Sequence, residues 1–378
     1  MSRPLLQELD LHLTSRCNLA CGFCSIDANA PGARGRLPLS RLQMLLDEAV
    51  TMGLQELHLT GGEPTLSPQL EDIVRHASGL GVRARLITNG TLLDRARLEG
   101  LWQAGLRSIM VSVDGLASTH DAMRGQPGAW RRAMGTVSHA VDLGFTTRVS
   151  SVAFSTNLHE IPQLMVVAAQ REVDVFSIFL GSPLGRGQAW KDRVIGRRAW
   201  RAFLAELGDG VQRGDYGERM AIIAEQGWAW DDRGDATIPP SDMQGRGAGC
   251  ATLDSAFDYL LLRADGRLYQ CVFFVHAGPS LGDLSRRSLG QVLQKAMQEK
   301  PAHHLTELPP GCGGCDRAAT CNGGCRGYAE LYRGTHRARD PRCAGPDADN
   351  PAPLCPIAKL NLRTGAIAGS SELALRAP

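Results

Sequence analysis

The chain has 378 residues, more than one typical core needs, and its 43% hydrophobic and 21% charged residues are the balance of a folded globular protein. A net charge of +2 leaves no dominant attraction for nucleic acid or an anionic membrane, and no run is apolar enough for a membrane span or a signal peptide, so a cytoplasmic location is expected. Eleven cysteines in such a chain read as metal ligands rather than disulfides: three fall at 17–24, none at 25–249 and eight at 250–355.

The first half alternates. Apolar runs at 9–13, 56–60, 82–88, 108–112, 147–153 and 173–180 predict strands. Segments at 40–52, 67–79, 94–104, 129–143, 158–170 and 197–207 predict helices, with caps at Ser40, Ser67 and Asp94. Six strand-then-helix units imply a parallel sheet with helical crossovers, read here as an open barrel over residues 1–207. Ligands of such a sheet bind beyond the carboxyl ends of its strands.

The loop after the first strand, TSRCNLACGFC, places Cys17, Cys21 and Cys24 within eight positions. Soft thiolates at this density suit zinc or an iron–sulfur cluster. Structural zinc wants four closed ligands, whereas CxxxCxxC supplies three and leaves one position open. After the second strand, Thr60-Gly61-Gly62-Glu63-Pro64 carries two glycines that let backbone approach a ligand. Asn89 with Gly90 ends the third strand as a turn pair, and Ser112-Val113-Asp114-Gly115 ends the fourth, with Arg124 twelve residues after Ser112.

Together these stretches resemble the radical SAM superfamily, in which a [4Fe–4S] cluster on three cysteines leaves one iron free for S-adenosylmethionine (SAM). The aromatic Phe23 before the last cysteine and the GGEP loop are part of that likeness. The resemblance implies that Gly61, Gly62, Glu63 and Pro64 approach the SAM amino group, that Ser112 and Arg124 meet its ribose or carboxylate, and that Asn89 and Asp114 belong to the same pocket. Asn157 and the loop 182–187 are similar to the superfamily with less specificity.

Residues 208–249, rich in glycine and proline and holding Trp228 and Trp230, read as a bridge. Beyond it, Cys250, Gly266 and Cys271 precede Cys312-x2-Cys315-x5-Cys321-x3-Cys325 and, after seventeen more residues, Cys343. A hairpin is expected from 259–262 and 268–271, turning at 264–266, and a helix at 288–298. This pattern resembles the SPASM domain of peptide maturases, here residues 250–350 with a tail at 351–378. The expected fold class is therefore α/β: a partial (β/α)6 TIM-like barrel followed by a small cysteine-rich SPASM domain.

The resemblance implies two auxiliary [4Fe–4S] clusters: one on Cys312, Cys315, Cys321 and Cys343, the other on Cys250, Cys271 and Cys325. The second is one ligand short, to be completed by Cys355, Asp254, Asp258 or a substrate group, and an iron left open there is the favoured case. It also implies SAM cleavage to a 5′-deoxyadenosyl radical that abstracts a substrate hydrogen, with an external electron donor such as flavodoxin or ferredoxin. Val272-Phe273-Phe274 follows Cys271 where sulfatase maturases carry an acid, so formylglycine formation is not expected.

The first reading of the substrate is a ribosomally made precursor peptide, its leader recognised by a partner protein or the SPASM surface because the first strand begins at about residue 8. The alternative is a small molecule, an amino sugar or a tetrapyrrole side chain, which the segment 112–130 also resembles. A non-catalytic iron–sulfur or zinc-binding protein needs no GGEP loop and no Ser112/Arg124 pair.

Overall fold

β1 (Glu8–Thr14) alternates in the way the barrel requires. Leu9, Leu11 and Leu13 are at most 3% exposed and pack into the main apolar core with α1 (Leu39–Thr51). On the other face, Asp10 meets His58 Nδ1 at 2.7 Å and accepts a hydrogen bond from the Tyr259 hydroxyl at 2.5 Å. The structure, a computed structural model, describes residues 6–31, 35–226, 257, 259–299, 308–313, 324–340 and 358–361.

β2 (Glu56–Gly61), β3 (Arg83–Thr88), β4 (Ser108–Ser112), β5 (Thr146–Ala153) and β6 (Val175–Leu180) follow β1 in order, each pairing parallel with its predecessor. The crossovers are α1, α2 (Leu70–Gly79), α3 (Arg95–Gln103), α4 (Ala117–Arg124), α5 (Ala129–Asp142) and α6 (Ile161–Ala169). α1 shows the rule, burying Leu42, Leu45, Leu46 and Ala49 at helical spacing. The expected TIM-like α/β fold is present.

Details differ from the sequence expectation for local reasons. Of the three expected caps, Asp94 accepts the Arg97 N–H at 2.9 Å, whereas α1 begins after Pro38 and α2 after Gln69. α4 is short and mostly polar, so its period is hard to read in sequence.

The expected bridge at 208–249 is corrected. It begins inside α7 (Arg197–Arg213) and contains β7 (Ala221–Gln226), which adds a seventh parallel strand beside β6. Met220, Ile222 and Ala224 are buried there, so residues 220–226 extend the barrel sheet. Trp228, Trp230 and the rest of that stretch lie outside the described residues.

The C-terminal part joins the same sheet. β8 (Tyr259–Leu262) pairs parallel with β1, and β9 (Arg267–Tyr269) turns back antiparallel, as the expected hairpin. β10 (Gly282–Asp283) follows α8 (Val272–Ala277), and α9 (Leu289–Glu299) is the expected helix. α10 (Arg326–Arg333) packs near α8 through Phe273 and Tyr328, whose rings are 4.6 Å apart. At the opposite edge β11 (Ala358–Asn361), from the expected tail, pairs antiparallel with β7. Among the described residues one eleven-stranded sheet results, in the order β10-β9-β8-β1-β2-β3-β4-β5-β6-β7-β11.

Side chains lock the two parts together. Glu48 on α1 accepts the Leu289 and Gly290 N–H groups at 2.7 Å each, capping α9, and Arg41 Nε donates to the Leu284 carbonyl at 2.8 Å.

Candidate active site

The strand ends of the barrel surround an open cavity of about 380 Å³. Cys17, Cys21 and Cys24 line it from the loop after β1, Thr60 to Glu63 from β2, Thr88 and Asn89 from β3, and Ser112 from β4. Its apolar wall comes from Phe154, Phe179, Leu180 and Leu184, with Val272 and Phe273 of α8 closing it from the C-terminal part.

The cysteine loop is held from outside its own sequence. Asn29, at φ +68°, accepts the Cys17 N–H at 2.9 Å and donates to the Cys17 carbonyl at 2.8 Å. Arg186 Nε donates to the Cys21 carbonyl at 3.1 Å, its guanidinium pairs with Asp27 at 3.2 Å, and its own N–H donates to the Cys24 carbonyl at 3.1 Å. Each sulfur also faces a donor: Leu19 N–H to Cys17 at 3.4 Å, Ala28 N–H to Cys24 at 3.4 Å and Arg124 Nη1 to Cys21 at 3.8 Å.

The two glycines of the GGEP loop serve this loop first. Gly61 has φ +124°, and a Cβ on Gly62 would lie 2.1 Å from the Arg16 carbonyl oxygen. Their closeness lets Gly62 N–H donate to Thr14 and Glu63 N–H to Arg16, both at 2.8 Å. Glu63 is 1% exposed and takes the Thr65 and Thr88 hydroxyls at 2.6 and 2.7 Å and the Asn89 N–H at 2.9 Å. Burial pushes its carboxyl up despite these donors. Pro64 starts the short turn Pro64–Leu66 behind it and is buried. Glu63 thus fixes the end of β3 relative to β2.

Asn89 is oriented by Thr91, whose N–H and hydroxyl reach its Oδ1 at 2.9 and 2.6 Å, so its Nδ2 points to Asn18 at 2.9 Å and to the Cys17 sulfur at 3.9 Å. Asp114 has no exposed surface and does not line the cavity; it accepts the Arg124 Nε–H at 2.6 Å and the Val152 N–H at 2.9 Å. Arg124 lines the cavity with its guanidinium 5.3 Å from the Phe23 ring centre. Burial disfavours its charge, but Asp114 and Cys21 more than restore it, holding the group above its ordinary range.

The donor set fits an iron–sulfur cluster. Burial pushes the Cys17 thiol up to about 11 and also raises Cys21, so thiolates there need a strongly electropositive partner. Among the described residues no three His, Cys, Asp or Glu side chains are disposed to hold a single metal ion. A cubane takes each thiolate on a different iron, and N–H···S contacts such as those above are part of its usual surroundings.

Of the eight C-terminal cysteines, Cys271, Cys312 and Cys325 are described. Cys271 stands directly before α8 and Cys325 directly before α10, with the Cys325 N–H donated to Asp340 at 2.7 Å. Cys250, Cys315, Cys321, Cys343 and Cys355, with Asp254 and Asp258, lie outside the described residues. Asn29, Phe154 and Trp190 escaped the sequence reading; only the tertiary fold brings them to the cysteine loop.

No helix among the described residues is long and apolar enough to cross a membrane. Residues 11–168 match the radical SAM superfamily. The chain is 25% identical over 340 residues to the AdoMet-dependent heme synthase of Methanosarcina barkeri, covering 88% of this chain and 94% of that protein. It is 26% identical over 340 residues to the PqqA peptide cyclase of Rhizobium meliloti, covering 88% and 85%. Its fold is similar to Streptococcus suis SuiB, solved with precursor peptide SuiA, at a TM-score of 0.74 and 17% identity over 89% of this chain and 75% of that one. Over residues 11–168 the chain thus carries a radical SAM domain, a family that implies a [4Fe–4S] cluster and SAM binding, and it is an enzyme.

Proposed function

We propose that the enzyme oxidises or crosslinks side chains of a ribosomally made peptide. Cys17, Cys21 and Cys24 would hold the cluster, and the strand ends bearing Gly61, Gly62, Asn89 and Ser112 would hold SAM. When bound, the cluster supplies one electron that splits SAM into methionine and a 5′-deoxyadenosyl radical, which takes a hydrogen atom from the substrate. The chain's own residues orient and enclose: Asn29 and Arg186 set the cysteine loop, Glu63 aligns β2 with β3, and Phe154, Phe179 and Phe273 keep water from the apolar side.

One observation carries the substrate class. Among the described residues lining the cavity the cations are Arg124 and Arg186, and each is committed, to Asp114 and to Asp27. A tetrapyrrole brings several carboxylates that call for cations, whereas a peptide side chain is served by the apolar wall. Similarity to a peptide cyclase and the fold shared with SuiB support the same choice.

Auxiliary clusters belong to this proposal. Cys271 and Cys325 begin two helices packed together, and Cys312 is buried. Such clusters would take up the electron left on the oxidised substrate. The decisive assay gives anaerobically reconstituted enzyme SAM, dithionite and the peptides encoded by short reading frames beside its gene. A peptide product that has lost hydrogen, with 5′-deoxyadenosine, is expected; trimming of an iron-porphyrin side chain without any peptide product would overturn the reading.

That second outcome is the alternative reading, a tetrapyrrole enzyme. It is favoured by the similarity to a heme synthase across 94% of that protein.

A further inference from the structure

Trp190 packs against the cysteine loop. Its ring lies 5.4 Å from Phe23 and 5.1 Å from Phe154, and a Cβ on Gly22 would come within 2.7 Å of its Nε1. Neither Gly22 nor Trp190 lines the cavity, although Cys21, Phe23 and Cys24 do. The half-buried indole therefore packs on the cysteine loop from outside the cavity.

The exterior there is cationic. Arg193 sits over the Trp190 ring at 4.3 Å, and Lys191, Arg193 and Arg198 are exposed. Against these three exposed cations stands one exposed anion, Asp192, within a chain whose whole net charge is +2. An excess of exposed cations along this short stretch is a field for an acidic partner.

We infer that this face docks a small acidic one-electron carrier, and that Trp190 marks its entry to the cluster held by Cys17, Cys21 and Cys24. The inference rests on the radical SAM reading of the site. Electron transfer falls steeply with distance, so a carrier gains by docking close to the cysteine loop, and here Trp190, under the cationic Arg193, touches that loop. The carrier loses one electron and the cluster gains it; no bond or proton changes hands. A substrate gains nothing from this face, because it must enter through the cavity mouth.

The test uses the reconstituted holoenzyme and flavodoxin, an acidic carrier with an exposed flavin edge. Lys191→Glu/Arg198→Glu avoids both Trp190 and its stacked Arg193. Oxidised flavodoxin should bind this variant about tenfold more weakly at low salt, and the salt dependence of binding should shrink. Cluster reduction by flavodoxin hydroquinone, followed by visible absorbance, should slow by about as much, while reduction by dithionite stays within about twofold of wild type. Unchanged binding and unchanged reduction by flavodoxin would overturn the inference, as would an equal slowing with dithionite. Weaker binding of an acidic substrate peptide with flavodoxin unaffected would also overturn it. Failure of the wild type to cleave SAM with dithionite would instead strike the radical SAM reading itself.

Discussion

Asp114 lies wholly buried at the end of β4 and holds Arg124 at 2.6 Å, and the same guanidinium reaches the sulfur of Cys21 at 3.8 Å. One carboxylate thus fixes the charge that faces the Cys21 sulfur. Asp114→Asn keeps the shape but leaves Arg124 a buried cation without its anion. The apo protein should lose about 3 kcal/mol of stability, read by urea unfolding, and 5′-deoxyadenosine should form more slowly. An unchanged unfolding midpoint would show that the pair does not hold the site.

Gly62→Ala places a methyl 2.1 Å from the Arg16 carbonyl oxygen, a backbone atom that cannot step aside without moving the cysteine loop. The variant should retain its overall fold by circular dichroism yet lose most barrel-cluster iron and SAM cleavage. Full iron content with normal cleavage would refute this role for the glycine.

Glu56 supplies the pH dependence. Burial opposes its charge, but His58, Arg85 and Arg83 outweigh it and hold the carboxyl down to about 2. A depressed carboxyl stabilises the fold above its unfolded value near 4.5 and loses that contribution as pH falls toward 2. His58 moves the other way: burial lowers its ring, but Asp10 and Glu56 prevail and raise it. Its contribution is complete below 6.5 and lost as pH rises through the folded value. Glu56→Gln should flatten the acid limb of the stability profile by about 2 kcal/mol, allowing for solvent screening. Urea titrations of both proteins across that limb decide the point, and identical profiles would rule Glu56 out.

Glu48→Ala removes the carboxylate that caps α9 with two hydrogen bonds of 2.7 Å. The cost should be about 1 kcal/mol, felt as faster hydrogen exchange along α9 while β2 to β6 stay protected. Equal exchange in α9 of both proteins would mean that other contacts hold the helix.

The barrel was legible because it rests on local patterns. Alternating strands and amphipathic helices report which faces are buried. The hairpin 259–269 was equally readable, because its turn needs a glycine at φ +90° and Gly266 is there. β7 was not: its short apolar run follows a glycine-rich stretch, and only pairing with β6 decides that it is a strand.

The roles within the site belong to tertiary structure. Asp114 and Arg124 are ten residues apart and Arg186 and Cys21 one hundred and sixty-five, separations over which sequence carries no distance information. A GGEP loop in sequence points toward a ligand; in the fold its Glu63 is spent on Thr65, Thr88 and Asn89, because a carboxylate buried at a strand end must be satisfied by whatever donors the neighbouring strand brings. Residue types determined which chemistry this chain is equipped for, and the packing of β1 to β6 decided which of those residues face the reaction and which hold the others still.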